Sequence, residues 1–78
     1  MMSNKEKIAK LLMEIKPTVD LEGKTDIIDG GYLDSLELMS LISSLMDLFE
    51  TEIDVDWITP ENFNSIDAIA SMMDQIQS

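Results

Sequence analysis

The sequence predicts an all-α domain of three long helices, one short helix and a long first loop. Three observations carry that expectation. Apolar residues recur at the three-and-four spacing of a buried helix face in three separate stretches, around Ile8 to Ile15, Leu38 to Phe49 and Ile66 to Ile76. Each stretch follows a residue able to cap a helix: Ser3 or Asn4, then Asp34, then Ser65. Only Thr51 to Ile58 alternates like a strand, and no second strand is visible for it to pair with. With 78 residues, the chain is expected to form one domain over 1–78.

The first helix runs from its Ser3 or Asn4 cap to about Ile15. It buries Ile8, Leu11, Leu12 and Ile15 and turns Lys5, Glu6, Lys7, Lys10 and Glu14 outward. Pro17 ends it, because the residue before a proline is pushed out of the helical region. Lys16 to Leu33 is long for a connection in so small a domain. Val19, Leu21, Ile27, Ile28 and Leu33 are its expected anchors, Glu22-Gly23-Lys24 a turn, and the loop is expected to cross from one end of the bundle to the other.

The second helix spans about Ser35 to Phe49, with Leu38, Leu41, Ile42, Leu45 and Phe49 as its inner stripe. Leu36, Met39, Ser43 and Met46 lie on an adjacent face. Methionine adapts to differently shaped partners, so Leu36, Met39 and Met46 are the candidates for partner contact. The connector is expected to turn Ile53 and Trp57 inward. Asp54-Val55-Asp56 matches the start of a calcium loop, but Ile58 holds the next ligand position and no glycine follows. Thr59 and Pro60 begin a short helix in which Phe63 plugs the core. The last helix runs to about Gln77 on an inner stripe of Ile66, Ile69, Met73 and Ile76.

Composition removes several functions. The chain has no cysteine and no histidine, so thiolate ligands, disulfides, the commonest general base and the commonest zinc ligand are missing, and no metal site is expected. No nucleophile–base pair or phosphate loop is present, which argues against an enzyme. No apolar run is long enough for a bilayer, and a cytoplasmic protein without membrane insertion is expected. The formal net charge is −11, and all five basic residues (Lys5, Lys7, Lys10, Lys16, Lys24) precede Thr25. Such a surface repels nucleic acid and attracts basic protein partners.

Gly30-Gly31-Tyr32-Leu33-Asp34-Ser35-Leu36-Glu37 joins the long loop to the most apolar helix. Asp34 and Glu37 have capping-box spacing, which makes Ser35 the first residue inside the helix. First-turn N–H groups lack intrahelical partners, and the helix dipole adds positive charge. A phosphate on the Ser35 oxygen would lie in a favourable field. With the glycine-containing loop before it and the amphipathic helix after it, the stretch resembles the acyl carrier protein family, which includes peptidyl and aminoacyl carriers. Asp34-Ser35-Leu36-Glu37, Phe49-Glu50-Thr51-Glu52-Ile53 and Phe63-Asn64-Ser65-Ile66 carry the likeness.

The resemblance implies a right-handed, acyl-carrier-protein-like four-helix bundle in which Ser35, flanked by Asp34, bears 4′-phosphopantetheine. It further implies a phosphopantetheinyl transferase using coenzyme A, an acyl- or amino-acid-activating ligase, and acyl-transferring enzymes as partners. The arm's thiol would hold an acyl or aminoacyl cargo as a thioester, in fatty acid or polyketide biosynthesis or a related pathway. Leu36, Glu37, Met39, Met46 and Asp47 are the expected partner contacts on a monomeric carrier. Where that family often shows acids on the second helix, this chain has Ser40 and Met46, which points to more apolar docking and a specialised cargo. The rival expectation is an acidic helical adaptor that binds a partner through the second helix and is never modified.

Twelve of the sixteen acids follow Lys24, where no cation is present. Added salt or magnesium should therefore raise the melting temperature, and an unchanged or lower value in a thermal scan would show that self-repulsion does not limit stability.

Overall fold

The computed structural model describes residues 2–78. Ser3 rather than Asn4 opens α1 (Asn4–Ile15). Its hydroxyl accepts the Glu6 N–H at 3.2 Å, while Glu6 Oε1 accepts the Ser3 N–H at 3.1 Å. Those bonds, the one from the Ser3 N–H foremost, hold the Glu6 carboxyl below the usual carboxylate range. Asn4 instead reaches across the bundle and donates to Asp74 Oδ1 at 3.1 Å. Ile8 and Leu12 are buried, with Leu11 and Ile15 half-buried against the same core.

Helix α2 (Ser35–Phe49) buries Leu41, Ile42, Leu45 and Phe49, and Leu38 packs half-buried beside them. It lies antiparallel to α1. Lys16, just past the end of α1, pairs with Glu37 in the first turn of α2 at 3.2 Å, while Lys7 sits 5.9 Å from the centre of the Phe49 ring at the other end. The loop between them therefore does not cross from one end of the bundle to the other, as its length suggests. It runs back along α1 until Glu22 and Gly23 share a surface depression with Lys5 and Glu6, then returns to the Lys16 end. Leu21, Ile27 and Leu33 are its buried anchors, with Val19 and Ile28 half-buried.

After α2 the chain makes one 3-10 turn (Val55–Trp57), the short α3 (Pro60–Phe63) and α4 (Ile66–Gln77). Ile53 is buried and Trp57 packs half-buried against the core, whereas Val55 faces out. Thr59 holds the cap position of α3, yet its side chain makes no cap bond; the Asn62 N–H is taken by the Thr59 carbonyl at 3.1 Å. Phe63 is 1% exposed and plugs the core. Ser65 caps α4 by accepting the Ala68 N–H at 2.9 Å. The inner stripe of α4 differs from its expected form: Ile69 and Met73 are buried, Ile66 and Ile76 only half-buried, and Met72 and Ala70 join the core. Among the described residues there is no strand, and no helix is long and apolar enough to cross a membrane.

One residue at the α3–α4 junction ties the long loop down. The Asn64 side-chain oxygen accepts the N–H groups of Ile28 and Asp29 at 2.9 and 3.0 Å, and its amide nitrogen donates to Asp29 Oδ2 at 3.0 Å. Its backbone carbonyl accepts the Ile27 N–H at 2.9 Å. Replacing Asn64 by alanine leaves two loop N–H groups without that acceptor. Asn64→Ala should cost about 2 kcal/mol in denaturant unfolding, and a loss near zero would show that water replaces the clasp at no cost.

Candidate functional site

The clasped segment leads into a tight approach to α2. Within it, the Gly30 N–H bonds the Asp26 carbonyl at 2.6 Å and the Tyr32 N–H bonds the Ile27 carbonyl at 3.1 Å, which closes a turn over residues 26–32. A Cβ on Gly30 would lie 2.7 Å from the Asp26 carbonyl oxygen, so a side chain is excluded there. Gly31 follows with φ +75°, a backbone state that favours glycine. Lys24 lies 4.8 Å from the centre of the Tyr32 ring and covers it.

The cap that starts α2 is made entirely by the residues flanking the serine. Asp34 is extended (φ −87°, ψ −179°), and its Oδ1 accepts the Glu37 N–H at 2.8 Å. Glu37 Oε1 returns the contact by accepting the Asp34 N–H at 3.0 Å. The Ser35 hydroxyl takes no part in this reciprocal pair. Ser35 is exposed, occupies the first position of the helix and points its oxygen toward no partner that the cap requires. An anion esterified there would meet the positive end of the helix dipole and first-turn N–H groups that lack intrahelical acceptors. The oxygen is thus accessible for substitution, and its substitution does not dismantle the helix start.

The expected contact residues around it separate into three sets. Leu36 and Met39 are 76% and 66% exposed, on one outward face within a turn of Ser35. Met46 is instead half-buried and packed against the core, and Asp47 is exposed two turns further on. The Glu37 carboxylate is half-buried and engaged, by the Asp34 N–H on one oxygen and by Lys16 Nζ, 3.2 Å from both. Sequence reasoning missed Lys16 and Asn64 as supports of this corner. Each meets its partner across more than twenty residues of chain, and no local spacing signals such a contact.

Residues 5–73 match the protein-family model described as phosphopantetheine attachment site. No significant match is found among curated proteins or among solved structures.

The cap geometry separates two neighbouring substitutions. Asp34→Ala should lower stability by about 1 kcal/mol, because the Glu37 N–H loses its acceptor. Ser35→Ala should leave the melting temperature within a degree or so of the parent, since no cap bond is lost. Thermal scans of the two variants check both values, and a larger loss for Ser35→Ala would place the cap on the wrong residue.

Proposed function

Because this chain belongs to the phosphopantetheine attachment-site family, whose members carry 4′-phosphopantetheine covalently on a serine, we propose that Ser35 is that serine and that residues 1–78 act as one carrier domain. Carrier domains of this family are not themselves catalytic. The observation that carries the assignment is the exposed Ser35 hydroxyl at the first position of α2, left free because Asp34 supplies the cap.

The residues present fit the group. Ser35 offers an oxygen open to a modifying enzyme, and the helix start behind it favours the negative charge of a phosphodiester. When attached, the arm supplies a thiol that holds an acyl or aminoacyl group as a thioester. The chain's own part is to present that oxygen at a rigid corner. The Asn64 clasp, the Gly30-Gly31 approach and the Asp34–Glu37 cap together fix where the tether begins. Tethering raises the local concentration of cargo at each partner's active site, so a protein with no base or nucleophile of its own still takes part in the chemistry.

The partners that follow from this reading are a phosphopantetheinyl transferase using coenzyme A, a ligase that activates the cargo, and enzymes that receive or extend it. Incubation with coenzyme A and a transferase of broad range tests the reading by intact-protein mass. The parent chain should gain one phosphopantetheine, and Ser35→Ala should gain none. Absence of a gain with several transferases would favour an unmodified adaptor, and a gain that persists in Ser35→Ala would move the attachment to another residue.

A further inference from the structure

Two exposed apolar side chains, Met2 and Leu48, share one groove between α1 and α2, and that groove carries cations. Its volume is about 310 Å³; Met2, Leu11 and Leu48 floor it, and Lys7, Lys10 and Glu14 edge it. Away from the Ser35 corner, the other exposed apolar side chains keep acidic company. Val55 lies between Asp54 and Asp56, and Met13 shares a depression with Asp20 and Glu22. We infer that the α1–α2 groove docks an amphipathic helix of a protein partner, apolar on its buried face and edged with aspartate or glutamate, and that it leaves the Ser35 end of the chain free.

Charge decides the occupant. Among the described residues Lys5 pairs with Asp67 and Lys16 with Glu37, while Lys24 lies over the Tyr32 ring. Lys7 and Lys10 form no ion pair there, and both stand on the groove. The rest of a chain of net charge −11 favours basic partners, so an acid-edged segment meets attraction only along this stretch of α1. An anionic membrane would meet the repulsion of the whole chain against two lysines. So open a groove does not enclose a small molecule, which needs most of its surface covered. A second copy of this chain offers only Val55 as an acid-flanked apolar group, and one side chain buries far less than a stable dimer needs.

The shape suits a helix. Lys7, Lys10, Leu11 and Glu14 follow one another at the three-and-four spacing of a single strip of α1, and Leu48 stands across from them on antiparallel α2. A partner helix laid between them inserts apolar side chains over Leu11 and Leu48 and sets its acids against Lys7 and Lys10. Glu14 refuses an acid at its own end, which confines the partner's acids to one half of its length and fixes its direction. The groove's one residue from α2, Leu48, lies thirteen positions past Ser35, about 20 Å along the helix axis. A partner held at Leu48 and an enzyme acting on Ser35 therefore use different ends of α2.

The test titrates the full, isotope-labelled chain with two synthetic helical peptides, followed by amide resonances. The peptides share a leucine stripe and differ only at the edge positions of one half, glutamate in one and lysine in the other. The glutamate peptide should shift Leu11 and Leu48 and leave Gly31 to Glu37 in place. The lysine peptide should reach the groove at least about tenfold more weakly. Lys10→Gln should weaken the glutamate peptide about threefold, and Leu48→Ser about tenfold. Both residues are exposed, so both variants should melt within a few degrees of the parent. Equal shifts at the groove from the two peptides, none from either, or shifts of Gly31 to Glu37 by the glutamate peptide overturn the inference. Affinity unmoved by both substitutions overturns it too. None of these outcomes bears on the mass gain at Ser35, which tests the carrier reading by itself.

Discussion

The start of α2 is closed by a carboxylate that belongs to the residue before the serine. Asp34 accepts the Glu37 N–H at 2.8 Å and Glu37 answers by accepting the Asp34 N–H, so the two acids satisfy each other's backbone. Serine is itself a favoured cap residue, and a serine used in that way has its oxygen committed to the helix. Moving the cap one position upstream releases the hydroxyl while keeping it within the field of the helix end. Stability and accessibility at this corner are therefore carried by different side chains.

The remainder of the fold keeps that corner in place. Antiparallel α1 and α2 are joined at one end by Lys16 and Glu37 and packed at the other by Lys7 over Phe49. The surface pair is modest in energy, but Lys16 also balances the charge of an acid that the cap cannot do without. The long loop is held by buried Leu21, Ile27 and Leu33 and by the Asn64 clasp, so its length does not translate into slack at Ser35.

Much of this was legible in the sequence because it is local. Helix spacing, the Asp34–Glu37 box, the Ser65 cap and the proline that opens α3 are all set by residues within four positions of one another. The burial of Leu41, Leu45 and Ile69 followed from periodicity, and that of Phe63 from the short helix that Thr59 and Pro60 begin. What could not be read depends on contacts between distant segments. The return path of the loop is set by Lys16 meeting Glu37 and by Asn64 meeting residues 27–29, and neither leaves a periodic trace. The same holds for Met46, which faces the core more than a partner. Glu37 reads as a surface acid because its cation, Lys16, lies twenty-one residues away, just past the end of α1.

The Asn64 clasp also sets a limit on how small a fragment can keep this corner in shape. Asp34-Ser35-Leu36-Glu37 and the loop before it lie in the first half of the chain, but the side chain that orders the loop belongs to the junction between the last two helices. A peptide that keeps Gly30 through Phe49 retains every letter of the motif and loses the hinge-post that aims it. The geometry around Ser35 is thus set by the whole tertiary structure rather than by the local sequence, and the short segment moved to another scaffold would keep its letters without the loop that frames them.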